Sequence, residues 1–398
     1  MRVCGIVAEY NPFHSGHLFQ LTEARRRTGA DAVAVVMSAC FTQRGEAACL
    51  SPAARAEMAL EAGADLVLAL PAAWAVREAE AFAEAGVLAL SAIGCDCLAF
   101  GAETADIERL LSCAEMLERP PEALSAALRQ GLDTGLAYPE ALSRAVRRCA
   151  PERAHLLTEP NNLLGVCYLR AILRHGLAME PVAIPRGNAH RETAITGPEA
   201  SASAIRGSLF RGDWAGLSDA MPASALLTLR REALSGRVHR PESLDQALLY
   251  RLCTLGEKDW ERLPALAEGI EQRLRRAART ARSREELLLT AKTRRYPWAR
   301  LSRLAAHALL QLTASDLSGL PPAPPLLLLG LRDSARPLLR GLKKSGIVPE
   351  DRAGLNRDAA WVRAEERAWD LWALGAGLPS GGFWREKTVF TPAPSPDR

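Results

Sequence analysis

The chain has 398 residues with 50 Lys and Arg against 46 Asp and Glu, a net charge of +4, and 48% hydrophobic and 24% charged residues, the make-up of a folded globular protein. This length exceeds what one core usually organises and predicts two domains, with no sign of disorder before the residues that follow Phe390. The small positive excess permits an acidic partner without requiring one.

The predicted elements begin at once. Residues 2–8 are short, apolar and β-branched and read as a buried strand, which Asn11-Pro12 breaks before a helix-like pattern starts near Gly16. A strand, a turn and a helix start at the carboxyl edge of a parallel sheet form a seat for an anion, because backbone N–H groups and the helix dipole converge there. His14 and His17, three residues apart, can bring both imidazoles into that seat and donate to phosphate oxygens. A lone histidine near a helix start is more often a cap or a surface residue. Two of them flanking Gly16, directly after the break, favour chemistry.

Further along, residues 31–37 give a second strand, and Ser51-Pro52 caps a helix running to about residue 62. Residues 66–70 give a third strand stopped by Pro71, residues 77–92 a helix, and residues 97–100 a fourth strand followed by a helix from Thr104. Apolar, non-alternating strands separated by helices predict an α/β fold with a doubly wound parallel sheet. Residues just past the strand ends are therefore candidate ligands of the site. Gln43-Arg44-Gly45-Glu46 is either a solvated loop or a source of a cation for phosphate or carboxylate. Gly101 is either a simple turn or a place where a base or ribose lies against backbone. Asn161 and Asn162 either cap the helix that runs to about residue 175 or read an adenine edge or a ribose hydroxyl. Residues 181–184 form a fifth strand leading to Arg186 and His190. Ser201-Ala202-Ser203-Ala204-Ile205-Arg206 is a serine-rich helix start that either caps only or adds a phosphate contact through Ser203 and Arg206.

From about residue 222 the pattern turns to long Leu-, Ala- and Arg-rich segments, so the chain divides into a catalytic domain at 1–221 and a mainly helical domain at 222–398. Arg275, Arg279 and Arg282 are placed on one helix face, within a stretch that also carries Arg295, Tyr296 and Trp298. Such a run is usually a solvated face. The interleaved aromatic rings favour nucleic acid, with phosphate contacts beside stacking surfaces. The nine cysteines include no Cys-x-x-Cys pair and read as reduced core thiols, and no leader or membrane span is expected, which predicts a cytoplasmic protein. No carboxylate cluster suggests a protein-bound metal.

His-x-Gly-His at this position resembles the signature of the nucleotidyltransferase superfamily, whose sheet is Rossmann-like and whose histidines stabilise phosphate charge. Across the chain, Glu9-Tyr10-Asn11-Pro12-Phe13-His14-Ser15-Gly16-His17, Gln43-Arg44-Gly45-Glu46, Gly63-Ala64-Asp65-Leu66-Val67, Phe100-Gly101-Ala102-Glu103, Pro160-Asn161-Asn162-Leu163-Leu164-Gly165, Arg186, the 201–206 turn and Arg295-Tyr296 together resemble the bacterial tRNA(Met) cytidine acetate ligase family. The resemblance implies an enzyme that activates acetate with ATP as acetyl-adenylate, with Mg²⁺ accompanying ATP in solution, and acetylates N4 of the wobble cytidine of elongator tRNA(Met). It implies ATP contacts at Val7, Ala8, Glu9, Tyr10, Asn11, Pro12, Phe13, His14, Ser15, Gly16, His17, Leu18, Phe19 and Gln20, and at Gly101, one of Asn161 and Asn162, and Arg186. Ala39, Cys40 and Ala189 depart from the family pattern, which bears on the acyl pocket or the tRNA contact. Two other readings compete: an adenylyltransferase acting on small molecules, and an RNA-binding protein with a degenerate nucleotide pocket. No obligate protein partner is implied.

Overall fold

The computed structural model describes residues 1–186, 195, 200–264, 266, 269–347, 349 and 352–392. Its centre is a seven-stranded sheet of order β5-β4-β1-β2-β3-β6-β7, built from β1 (Val3–Ala8), β2 (Ala32–Ser38), β3 (Leu66–Leu70), β4 (Cys97–Ala102), β5 (Glu180–Pro185), β6 (Leu327–Arg332) and β7 (Val389–Thr391). The first five strands run parallel, as their uninterrupted apolar runs predict: β2 and β3 are buried at every position. β1 lies between β2 on one side and β4 on the other, so the strand order reverses at its carboxyl end. That is where an open α/β sheet forms its ligand crevice.

Helices cover both faces. α1 (Ser15–Thr28) and α2 (Pro52–Glu61) precede the short α3 (Ala72–Ala75), α4 (Ala79–Ala92), α5 (Ile107–Glu118), α6 (Glu122–Asp133), α7 (Tyr138–Cys149), α8 (Pro160–His175), α9 (Ala202–Arg211), α10 (Leu217–Ala220) and α11 (Ala223–Leu234). One apolar core joins α4, α5 and α8 to Val3, Val36 and Leu98, and the other joins α1, α2, α9 and α11 to Ile6, Val35 and Val67. α4 packs so closely on β1 that a Cβ on Gly86 would stand 2.7 Å from the Val7 side chain. The missing side chain lets the helix approach the strand that ends at the site.

After residue 222 come α12 (Asp245–Thr254), α13 (Glu257–Glu261), α14 (Ile270–Ala278), α15 (Arg284–Ala291), α16 (Trp298–Leu310), α17 (Ala314–Ser318), α18 (Arg336–Lys344) and α19 (Ala360–Gly375). α12 to α16 close around their own core of Leu248, Trp260, Leu274, Leu287, Tyr296 and Leu301. The remainder returns to the sheet, since β6 pairs antiparallel with β3 and β7 parallel with β6. These two strands correct the expectation that every strand is parallel and lies before residue 222. The leucine run of β6 carries little β-branched character to mark it as a strand.

Candidate active site

The first strand ends in a shaped turn. Tyr10 adopts a left-handed conformation with φ 45° and the Asn11-Pro12 bond is cis, so the chain reverses between β1 and α1. Tyr10 and Phe13 are buried and pack edge to face at 4.8 Å. Asn11 spends its Oδ1 on the Cys49 N–H at 2.8 Å, and its carbonyl accepts from Arg206. Within the segment expected to touch ATP, these side chains therefore build the turn, while Ser15, His17, Leu18 and Gln20 are half-buried and Gly16 and Phe19 exposed.

His14 is the N-cap of α1, its Nδ1 accepting the Gly16 N–H at 3.1 Å, while His17 Nδ1 accepts the His14 N–H at 3.3 Å. This is a capping box in which imidazoles replace the usual hydroxyl and carboxylate. An accepting ring nitrogen bears no proton, so each neutral ring carries its proton on Nε2. The rings stack with centroids 3.7 Å apart, and His17 packs against Tyr10 at 4.8 Å and Phe13 at 5.5 Å. Burial, reinforced by Arg186 and Arg206, pushes the pKa of His14 down to about 3. His17 is held well below its ordinary value by burial, then by His14 and Arg186. Both are neutral hydrogen-bond donors at neutral pH, and the buried His14 Nε2 finds no partner among the described residues.

Cations and amides from three other elements converge here. Arg206, one turn into α9 behind the Ser201 cap, donates from Nη1 to Asn11 O at 2.6 Å and from Nη2 to Ser203 Oγ at 3.2 Å. Arg186, just past β5, donates from Nη1 to Asn161 Oδ1 at 3.3 Å, and burial lowers its pKa. A Cβ on Gly101 would meet the Arg186 stem at an ordinary 3.5 Å, and Gly101 has no positive φ, so neither backbone nor protein packing demands glycine there.

The two asparagines have different tasks. Asn162 is fully buried, its Oδ1 accepting the Thr104 N–H at 2.9 Å and its Nδ2 donating to Thr104 and Glu159. Asn161 faces Arg186. Glu103 had no assigned role, yet it anchors the start of α8 by accepting the N–H groups of Asn161 and Asn162 and the Asn161 amide at 2.7 Å. Burial raises its pKa, but these hydrogen bonds outweigh burial and hold it below the ordinary carboxylate value.

Arg55 is a second residue that sequence reasoning missed. Fully buried in α2, it donates to the carbonyls of Glu9 at 2.7 Å, Ser38 at 2.9 Å and Leu50 at 3.1 Å, and to Ala39. It ties the ends of β1 and β2 together under the turn. Its only sequence signal is a charge among buried helix positions, which an amphipathic pattern does not single out.

Other expected residues stand at the border of this cluster, outside it or inside packing. Arg44 is exposed, but its loop is clamped: the Arg44 carbonyl accepts from Ser302, and the Gly45 carbonyl from Arg284 at 3.3 Å. Ala39 and Cys40 are buried and pack in the core, and Ala189 and His190 lie outside the described residues. The expected helix face of Arg275, Arg279 and Arg282 is corrected, because α14 stops at Ala278 and Arg282 falls in the connection to α15. Arg275 turns inward over Trp260, 5.3 Å from the ring centroid, while Arg279 and Arg282 are exposed. Tyr296 is 5% exposed and belongs to the helical core, so its ring offers no stacking face to a base, whereas Arg295 is half-buried. Among the described residues no group of three His, Cys, Asp or Glu is placed to hold a metal, and no helix is long and apolar enough to cross a membrane.

An open α/β sheet whose crevice holds a histidine pair as neutral donors, with arginines around it, has the build of the nucleotidyltransferase class. Residues 1–352 match the family described as HIGH Nucleotidyl Transferase. The chain is 36% identical over 358 residues to the tRNA(Met) cytidine acetate ligase of Bacillus velezensis, covering 88% of this chain and 86% of that one. It is 35% identical over 359 residues to the Bacillus subtilis protein of the same name, with the same coverage. The crystal structure of apo Thermotoga maritima TmcAL superposes with a TM-score of 0.92 at 28% identity, covering 99% of this chain and all of that one. The form bound with alpha-thio ATP superposes with a TM-score of 0.88. This chain belongs to the HIGH nucleotidyl transferases and, within them, to the tRNA(Met) cytidine acetate ligase family.

Proposed function

We propose that this protein is an ATP-dependent, AMP-forming ligase that makes acetyl-adenylate from acetate and transfers the acetyl group to N4 of the wobble cytidine of elongator tRNA(Met). The observation that carries the reading is the stacked His14–His17 pair with both protons on Nε2, at the carboxyl end of β1 where the strand order reverses. Acetate oxygen attacks the α-phosphorus and pyrophosphate leaves. Charge grows on the departing phosphates, and donors already fixed by backbone hydrogen bonds meet it without reorganising. Arg206 and Ser203 add donors from α9, and Arg186 with Asn161 from the β4–β5 side, where Gly101 lets the nucleoside lie close. The exocyclic amine then attacks the acetyl carbonyl and AMP departs.

Mg²⁺ accompanies ATP from solution in this scheme. Residues 1–221 carry the adenylation site and residues 222–398 the basic helices that hold tRNA, the division marking a change of role, since β6 and β7 complete the sheet. The need for ATP and tRNA together places the protein in the cytoplasm. Given ATP, ¹⁴C-acetate and unmodified elongator tRNA(Met), the purified protein should yield N4-acetylcytidine at the wobble position with AMP and pyrophosphate. Labelling from acetyl-CoA alone would overturn adenylation, and an unlabelled tRNA alongside carboxylate-dependent ATP–pyrophosphate exchange would mean a different acceptor.

A further inference from the structure

A narrow cleft opens beside the histidine turn, between the loop after β2 and the helical region. Arg206 is among its lining residues, already bonded to the Asn11 carbonyl. Its walls are Phe41, Phe210, Leu244 and Leu248, and the sole carboxylate among the described lining residues is Glu46. Opposite Glu46 is Arg284, brought from the start of α15. Arg284 is anchored through Nη2 to the Gly45 carbonyl at 3.3 Å and to Ser302. Its Nη1 stands 3.6 Å from Glu46 Oε1, longer than a closed charge-assisted hydrogen bond. The loop packs directly on α16: Gly45, at φ 72°, has its Cβ direction filled by the Ser302 carbonyl at 2.7 Å and Arg303 Cα at 2.9 Å, so only glycine fits there.

We infer that Glu46 and Arg284 read the Watson–Crick edge of the acceptor cytosine in this cleft, and that Glu46 takes the proton released when N4 is acetylated. The inference rests on the proposed acetyl transfer and names the acceptor half of that same site. Cytosine presents an N4 amine donor beside the N3 acceptor, so a carboxylate accepting from N4 with a guanidinium donating to N3 matches it. Uracil presents an acceptor and then a donor at those positions, which sets oxygen against carboxylate and N–H against guanidinium. An anticodon base is single-stranded and can be turned out into an apolar, aromatic-walled slot at modest cost. In the transfer, the N4 lone pair forms the bond to the acetyl carbon, the bond from that carbon to the phosphate oxygen breaks with its electrons leaving on AMP, and the N4 proton passes to the Glu46 carboxylate. Apolar walls keep water from competing for the acyl group. The exposed Arg44 stands on the same loop, where an incoming phosphodiester would pass.

The test separates the two half-reactions. Glu46→Gln keeps the shape and removes the charged acceptor. Acetate-dependent ATP–pyrophosphate exchange should stay at the wild-type rate, while single-turnover transfer from preformed acetyl-adenylate to tRNA falls about 10²-fold or more. The intact exchange also reports a folded protein. Transfer at the wild-type rate, or equal losses in exchange and transfer, would overturn the inference. Independently of any variant, the wild-type protein should bind tRNA carrying cytidine at the wobble position at least tenfold more tightly than the same tRNA carrying uridine, and equal affinities would overturn it as well. If the wild-type protein acetylates no tRNA at all, the proposed function fails first, an outcome distinct from either of these.

Discussion

At the scale of single residues, backbone hydrogen bonds decide the chemistry of the histidine pair. Because each Nδ1 accepts a backbone N–H, each ring carries its proton on Nε2, and burial keeps both rings neutral through the physiological range. Nitrogen-detected NMR of the free protein should show Nε2–H tautomers for both, with no titration near pH 6.5. A ring that titrates there would contradict the burial argument. His17→Ala should lower acetate-dependent ATP–pyrophosphate exchange about 10²–10³-fold, the usual cost of one preorganised donor, with an unchanged circular dichroism spectrum. The asparagines should separate in the opposite sense. Asn162→Ala removes a fully buried amide and its bonds to the half-buried Thr104 and Glu159, and should cost about 1–3 kcal/mol in denaturant melts. Asn161→Ala should weaken ATP binding with little effect on the melt, and equal behaviour of the two variants would refute the division of labour.

At the scale of elements, α16 is the joint between the two halves of the molecule. Its Ser302 holds the loop after β2, and its His307 donates from Nε2 to the Val76 carbonyl at 2.7 Å, just past α3. Burial pushes the pKa of His307 down to about 4, against the Val76 hydrogen bond, which favours the charged form. The sign follows from proton counting. Below about pH 6.5 the unfolded chain takes up a proton at this position and the folded one does not until about pH 4, so the stabilisation is complete above pH 6.5 and is lost as pH falls through that window. The loss is about 1.4 kcal/mol per pH unit. His14 and His239 act in the same direction, while Glu365, pushed up to about 7 by burial, acts in the opposite one. The informative quantity is therefore a difference: relative to wild type, His307→Gln should lose less stability on acidification from pH 7 to pH 5 in urea titrations. Parallel pH profiles would show that His307 is not buried neutral.

At the scale of the whole molecule, the proposed function puts adenylation and RNA binding on separate surfaces, with the cleft lined by Arg206 and Arg284 between them. Arg279 and Arg282 are exposed, whereas Arg275 is engaged with Trp260 and Glu257, so the three should not behave alike. Replacing Arg279 and Arg282 with alanine should weaken tRNA binding and flatten its log–log salt dependence by roughly 0.7 to 0.9 per lost phosphate contact. ATP–pyrophosphate exchange should not change. Arg275→Ala should instead lower stability through lost packing on the indole. If Arg275→Ala alone flattens the salt slope, the inward-facing side chain is reaching RNA after all.

The parallel strands β1 to β5, the capped helices after Ser51 and Ser201 and the turn that brings His14 and His17 together were legible in the sequence, because each is set locally. A short apolar run rich in β-branched residues and bounded by turn signals reads as a covered strand, and a cap needs nothing beyond its own turn. The motifs were enough to place the chain in its family. Contacts between residues far apart in the chain were not legible. Arg55 carries no local mark of its role, since the carbonyls it binds come together only when β1 and β2 pair. Asn161 and Asn162 are chemically identical, and only Glu103 and Thr104, placed by β4, tell them apart. Helical periodicity put Arg275, Arg279 and Arg282 on one face, and the end of α14 removed that face. β6 pairs with a strand more than 250 residues earlier, an edge that a leucine run cannot announce. Local sequence thus fixed the elements and the chemistry of the turn. The tertiary structure decided which charges stand at the crevice, as Arg186 and Arg206 do, and which hold the fold, as Arg55 does, because burial and pairing depend on neighbours supplied by the rest of the chain.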